Sequence, residues 1–262
     1  YVSPKSGALA AFAEADDFVL GGVRRAIGDG IVVNGVKYPV EIIEKDSRSD
    51  TNRAAEVASE LIKTAKVDLL VTANTPETVN PVSDQAELNG VPCITTDAPW
   101  QPYFFGRGGK PDQGFDWTYH FFWGAEDLVA AYTNLWGMLP TNKVVGALWG
   151  NDNDGNAFSD PKVGFPPALQ AKGYTLVDTG RFQMSTNDFS AQISAFKRAG
   201  VEILTGALPP PGFATFWSQA AQQGFRPKIV TIAKALLFPC AIESLGERRL
   251  NLSSVVWWPP NH

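Results

Sequence analysis

The chain has 262 residues, 44% of them hydrophobic and 19% charged, and a formal net charge of −5. This composition supports a packed core and argues against disorder. The chain has no basic run of the kind that binds nucleic acid, and no apolar run approaches the roughly 20 residues that span a bilayer.

Strand-like and helix-like segments alternate in the first part of the chain. Apolar residues at helical spacing precede Gly28, Asp50 or Thr51 can cap the second helix, and a threonine and a proline open the third. The predicted order is strand 1–3, helix 12–28, strand 38–45, helix 52–65, strand 68–73, a helix starting at 75–78, and strand 92–96.

Residues 97–117 interrupt the alternation with a long, aromatic, Gly/Pro-rich stretch that cannot stay regular for long. The later predicted elements are strand 118–122, helix 126–138, strand 143–149, helix 158–172, strand 175–182, helix 188–199, strand 202–205, helix 212–223, strand 228–232, helix 236–245 and strand 253–258. Such alternation predicts an α/β protein with parallel sheets in two Rossmann-like lobes. The expected boundaries are 1–120 for lobe 1, 121–250 for lobe 2, and 251–262 for a segment returning towards lobe 1.

Signatures of catalysis and of metal binding are sparse. The only histidines are His120, which is predicted to be a core or hinge residue, and the terminal His262. No nucleophile elbow, phosphate-binding loop or dinucleotide fingerprint is present. Cys93 and Cys240 form no CxxC pair, so they are read as two separate thiols rather than zinc ligands. We therefore expect no catalytic residue, no metal and no cofactor, although an α/β enzyme remains one alternative.

Three segments follow predicted strand ends, where open α/β sheets bind ligands. The helix start at Thr75–Thr78 can hold a carboxylate or can be an ordinary cap. The aromatic residues of 98–105 can stack on a flat ligand or close the core or hinge of the lobe. The cluster at 150–156 fails as a calcium loop, because Gly150 and Pro161 occupy its first and last ligand positions. It can supply polar ligand contacts or form a simple turn.

Four stretches, taken in order, resemble the type I periplasmic binding proteins, and in particular their branched-chain amino acid group. They are Ser3–Gly7 with Phe12, Lys45–Ala55, Asn74–Asp84 with Val91–Ile94, and Asp188–Ile193, which reads Asp-Phe-Ser-Ala-Gln-Ile. The resemblance covers the whole chain.

The resemblance implies a solute clasped between two lobes of a periplasmic receptor that delivers it to the membrane permease of an ABC transporter. It also implies a monomer. The positions that match the family's contacts are Phe12, Thr75, Pro76, Glu77, Thr78, Ala98, Trp100, Asn153, Asp154, Ala207 and Pro209. A cytoplasmic ligand-sensing regulator of the same fold is the alternative function.

Two departures from the family stand out. Lys234 occupies the position where amino-acid binders carry an acidic residue for the ligand's ammonium group. A lysine attracts a carboxylate, so we expect a small organic carboxylate, such as an aromatic acid, or an amino-acid-like solute, rather than a free amino acid, unless Lys234 points to solvent. The chain also carries no signal peptide and stops where relatives return to lobe 1, so we expect it to be shortened at both ends.

Overall fold

In the computed structural model, which describes residues 1–254 and residue 256, strands and helices alternate as the sequence predicts. Up to residue 120 the elements are β1 Val2–Ser3, α1 Asp16–Ile27, β2 Ile31–Val33, β3 Val36–Tyr38, β4 Lys45–Asp46, α2 Thr51–Glu60, β5 Leu70–Thr72, α3 Pro76–Asn89, β6 Cys93–Thr95, α4 Trp100–Phe104 and β7 Thr118–His120. The later elements are α5 Ala125–Trp136, β8 Val144–Gly150, α6 Asn153–Phe158, α7 Phe165–Ala171, β9 Thr175–Phe182, α8 Ser190–Arg198, β10 Ile203–Leu208, α9 Pro210–Gln222, β11 Ile229–Lys234, α10 Pro239–Glu243 and β12 Leu252–Ser253.

The chain divides into two units. Unit 1 contains Tyr1–Asp97 and Gly114–Phe121, and unit 2 contains Ala98–Gln113 and the chain from Phe122 onwards. The expected boundary at residue 120 lies beside Phe121, where the chain passes from unit 1 to unit 2 for the second time. The aromatic segment 98–113 groups with unit 2, whereas the sequence reading placed it in lobe 1.

Unit 1 is built on a five-stranded parallel sheet in the order β4-β1-β5-β6-β7. Helices α2 and α3 cover one face, where Val57, Val82 and Leu70 are fully buried. Asp50 caps α2 as predicted, because its carboxylate accepts the Arg53 amide at 2.7 Å. On the opposite face Ile94, Tyr119 and their neighbours are exposed.

The predicted strand over 38–45 is wrong in most of its length. A two-stranded antiparallel hairpin, β2–β3, precedes it and ends at Tyr38, and the chain is irregular from 39 until β4 begins at Lys45. Asn34 and Gly35 form the hairpin turn with φ angles of 50° and 81°. An Asn-Gly pair suits such a turn because both residues tolerate positive φ.

Unit 2 is built on a second parallel sheet, in the order β12-β11-β10-β8-β9. Alternate residues of β8 face opposite cores: Leu148 packs with Phe196 and Phe216, whereas Trp149 packs with Phe158 and Phe165. This sheet is therefore buried on both faces, as parallel sheets usually are.

The predicted helix over 158–172 contains α7 and only the last residue of a separate helix, α6. Helix α6 begins at Asn153, ahead of the prediction, because Asp152 caps it by accepting the Gly155 amide at 2.7 Å. Helix α7 begins after Gly164 with prolines in its first turn, and prolines at that point start a helix rather than continue one.

The end of the chain adds a short strand to unit 2. β12 pairs with β11 through Leu252 and Ser253. The rest of the strand predicted over 253–258 and of the return segment 251–262 falls largely outside the described residues. Among the described residues, no helix is both long enough and apolar enough to cross a membrane.

Candidate functional site

The carboxyl end of β5 in unit 1 carries an unusual backbone. Asn74 and Thr75 both have positive φ angles, 74° and 77°. Thr75 also has a ψ of 149°, a region of the φ/ψ map that is essentially restricted to glycine. The Thr75 amide donates to the Asp97 carbonyl oxygen at 3.2 Å. A β-branched residue in this conformation is a clear outlier, of the kind that clusters at ligand sites.

Thr75 is also the N-cap of α3, but its side chain does not cap the helix. The residue is 2% exposed, and its hydroxyl oxygen is buried without a hydrogen-bond partner. Pro76 and Glu77 form the first turn of the helix. The Thr78 hydroxyl, one turn along, shares a 3.2 Å hydrogen bond with the Ser47 hydroxyl. The helix start therefore presents one unused donor beside the positive end of the helix dipole.

Two carboxylates lie in the same unit. Asp16 is buried and accepts hydrogen bonds from the Tyr1 hydroxyl, at 2.9 Å, and from the Ser3 hydroxyl. Burial, with a smaller repulsion from Asp16, raises the pKa of the Asp97 carboxyl above its usual value.

Phe12, predicted to contact a ligand, lies partly buried in a short 3-10 helix, Ala10–Ala13, between β1 and α1. His120 is bonded through its Nδ1 to the Thr95 hydroxyl at 2.7 Å.

The carboxyl edge of the sheet in unit 2 holds a buried charge cluster. The Lys234 Nζ atom lies 3.1 Å from Asp152 Oδ2 and 2.5 Å from Asp154 Oδ2. The three side chains are 8%, 5% and 2% exposed, respectively. We call Lys234, Asp152 and Asp154 the charge triad. With one positive and two negative groups, its formal charge is negative.

Asp152 was missed in the sequence reading, which selected its neighbours Asn153 and Asp154. The sequence does contain a signal for Asp152, because an aspartate at the start of a helix is a typical N-cap residue. The cap is tight: a Cβ atom on Gly155 would lie 2.0 Å from the Gly150 carbonyl oxygen. Only glycine allows the first turn of α6 to approach the end of β8 so closely.

Ala207 and Pro209 lie at the same edge, at the end of β10. Leu208, the last residue of β10, is in register with Lys234. Pro209 is the N-cap of α9. The Ala207 side chain packs in the core, so only its backbone can serve a ligand. Ala98 is likewise buried.

Trp100 opens α4, which packs against α6. Its indole N–H donates to Glu126 Oε1 at 2.8 Å, and the Gln101 side chain bonds both Glu126 and the Ala125 amide. The Trp100 ring is 36% exposed and lies 5.7 Å from the Phe105 ring. The aromatic segment is therefore fixed in place and leaves ring surface open to solvent.

The predicted residues thus follow strand ends of both sheets and divide between the two units. Unit 1 carries Phe12, Thr75, Pro76, Glu77 and Thr78, and unit 2 carries Ala98, Trp100, Asn153, Asp154, Ala207, Pro209 and Lys234. The expected grouping at strand ends follows from parallel strand order. A role for each residue in binding stays a prediction.

A family described as "Periplasmic binding protein" matches residues 1–261, and the chain belongs to it. The fold is that of the type I periplasmic binding proteins. The family and its structural neighbours are solute-binding proteins, so the expectation of a binding protein rather than an enzyme is confirmed. Membership of the branched-chain amino acid group stays a prediction. No curated protein matches the chain.

Solved structures similar to the chain are described with different solutes. A leucine-binding protein from Thermotoga maritima is 23% identical with a TM-score of 0.75, over 94% of this chain and 66% of that one. A solute-binding protein of an ABC transporter from Rhodopseudomonas palustris, in complex with 4-hydroxybenzoate, is 15% identical with a TM-score of 0.72, over 94% and 64%. Another from the same species, in complex with 3,4-dihydroxybenzoic acid, is 20% identical with a TM-score of 0.66, over 88% and 60%. These likenesses show the fold, and the chain spans less than two thirds of each relative.

Proposed function

We propose that the chain is the extracytoplasmic receptor of an ABC importer and that its solute is a small organic carboxylate, in particular an aromatic acid. Two features support this solute, each within its own unit: the start of α3 in unit 1 suits a carboxylate, and the aromatic segment of unit 2 suits a flat ring. The receptor then presents the solute to a membrane permease.

The observation that carries this proposal is the Thr75 hydroxyl. A buried polar group without a partner costs about 1–3 kcal/mol, and Thr75 bears that cost in addition to a strained backbone. A carboxylate at the amino end of α3 would accept this hydroxyl and would be stabilised by the helix dipole. The strain is then explained as the means by which the hydroxyl is directed at a ligand.

The aromatic part of the proposal rests on Trp100 and Phe105. Both rings keep more than a third of their surface exposed, although burial of aromatic rings is strongly favourable. A flat apolar solute would cover that surface. The complexes of two similar proteins with hydroxybenzoic acids support an aromatic acid, and the leucine- and isoleucine-binding neighbours define the competing, amino-acid solute.

Isothermal titration calorimetry of the chain with 4-hydroxybenzoate, 3,4-dihydroxybenzoate, leucine and isoleucine tests the proposal. We expect the two acids to bind and Thr75→Ala to weaken them about tenfold or more, because a hydrogen bond to a charged group contributes about 1.5–3 kcal/mol. Ser83→Ala is the matched control. Ser83 is in the same helix and is fully buried, and its hydroxyl also has no partner, but it lies two turns from the helix start.

Binding of the acids that is equally insensitive to Thr75→Ala and Ser83→Ala would remove α3 from the site. Binding of leucine and isoleucine alone would keep the receptor and replace the solute class. Heat from none of the four compounds, with the protein shown to be folded by circular dichroism, would contradict the proposed solutes.

A further inference from the structure

The charge triad places a lysine where its backbone is strained and its charge is costly to bury. Lys234 ends β11 with a φ of 65°, in the left-handed region that non-glycine residues avoid. Its side chain is only 8% exposed. Strained, buried groups of this kind persist where the surrounding structure fixes them for a purpose.

The two carboxylates are supplied by a different element. Asp152 ends the loop after β8 and caps α6, while Asp154 lies in the first turn of that helix. Asp152 uses one oxygen for the Gly155 amide and the other for Lys234. Because the cap fixes Asp152, the oxygen that faces the lysine is held in position. Two carboxylates that converge on one ammonium group form a binding site for a cation, and this chain fills it with its own side chain.

We infer that Lys234 is a specificity-determining residue, an internal ammonium group that occupies the Asp152–Asp154 site and thereby rejects solutes that carry an ammonium group. A competing ammonium would have to displace Lys234 from both carboxylates, and breaking buried ion pairs is strongly unfavourable. A carboxylate without an amine meets no such competitor. The inference rests on the proposed function, because it names the class of carboxylate that the receptor accepts.

The test is Lys234→Met, with leucine and 4-hydroxybenzoate as calorimetric probes. The variant removes the cation that pairs with Asp152 and Asp154, so leucine affinity is expected to rise at least tenfold over the unsubstituted chain. Acid affinity is expected to fall, because the variant removes a positive charge that attracts a carboxylate. Lys228→Met is the matched control. Lys228 directly precedes the same strand, but its side chain is 53% exposed and pairs with Glu202, so neither affinity should change.

A second variant, Asp154→Asn, protects the test against misfolding of Lys234→Met. It keeps the lysine and removes one carboxylate, so acid affinity should rise severalfold while leucine still fails to bind. No gain of leucine binding in Lys234→Met, together with no gain of acid binding in Asp154→Asn, would overturn the inference. Leucine binding to the unsubstituted chain as tight as acid binding would overturn it as well.

The same measurements distinguish a failure of the proposed function from a failure of the inference about Lys234. If the unsubstituted chain binds neither probe and Lys234→Met gains leucine, the role of Lys234 is supported and the proposed solute class is wrong. If the unsubstituted chain binds the acid and Lys234→Met changes neither affinity, the proposed function is supported and the role of Lys234 is wrong.

Discussion

Thr75→Gly is expected to stabilise the ligand-free chain while it weakens binding. Thr75 occupies a glycine-only region of the φ/ψ map, which costs about 1–3 kcal/mol, and glycine relieves that strain. Glycine loses about 0.5–1 kcal/mol through the entropy of the unfolded chain. The lost burial of two carbon atoms, about 1.6 kcal/mol, is roughly offset by removal of the unpartnered hydroxyl, about 1–3 kcal/mol. The free energy of unfolding should therefore rise by about 1 kcal/mol.

Differential scanning calorimetry without ligand measures this gain. One kcal/mol corresponds to a rise in melting temperature of about 4 °C for a domain of about 100 residues. Thr215→Gly is the control, because Thr215 lies inside α9, where glycine should instead destabilise by about 0.5–1 kcal/mol. Thr75→Ser keeps the hydroxyl and should retain acid binding. A lower melting temperature for Thr75→Gly, or a rise with unchanged acid affinity, would refute the link between strain and binding.

Three further substitutions test other parts of the site. Gly155→Ala should destabilise by about 2 kcal/mol or more, because its Cβ would lie 2.0 Å from a carbonyl oxygen, whereas Gly212→Ala, with 3.7 Å of clearance, should not destabilise in thermal melts. Asp97→Asn should raise the melting temperature at pH 7, because it removes a carboxyl group whose ionisation burial disfavours. Because the folded-state pKa of Asp97 is raised, the difference in melting temperature between Asp97→Asn and the unsubstituted chain should shrink as the pH falls through the raised pKa. It should vanish below about 3.8, the ordinary value. An equal difference at pH 7 and at pH 3.5 would contradict this pH dependence. Trp100→Ala should weaken 4-hydroxybenzoate about tenfold in calorimetry if the ring stacks on the solute, and unchanged affinity would exclude that contact.

The alternation of strands and helices was readable from the sequence because each element carries its own period and its own caps. Strand β9 was predicted at its observed bounds, 175–182. The predictions that are wrong, the strand over 38–45 and the start of α6, fall where short local sequence signals define the structure. The Asn34-Gly35 turn marks the β2–β3 hairpin, and the cap at Asp152 marks the start of α6. Both are short-range signals that the hydrophobic period does not reveal.

The chemistry of the site was less accessible from the sequence. Lys234 was singled out as a lone positive charge, but its partner Asp152 is 82 residues away, and only the order of strands in the second sheet brings them together. The strain at Thr75 has no sequence signature either, because threonine followed by proline is an ordinary helix start. Its conformation is set by tertiary structure, including the bond from its amide to Asp97.

The start of α3 in unit 1 and the charge triad in unit 2 therefore offer different interactions to a solute. In unit 1 the start of α3 offers donors that suit any carboxylate, so changes at Thr75 should alter the affinity for all acids alike. In unit 2 the charge triad has its own cation, so changes at Lys234 should alter which acids are accepted. Thr75 and Lys234 belong to different units, and the double variant Thr75→Ala/Lys234→Met tests whether their effects on the free energy of acid binding add within about 0.5 kcal/mol, as they do for independent sites. A larger coupling would mean that the solute transmits a change at one edge to its contacts at the other, and the affinity and the choice of solute would then not be separable.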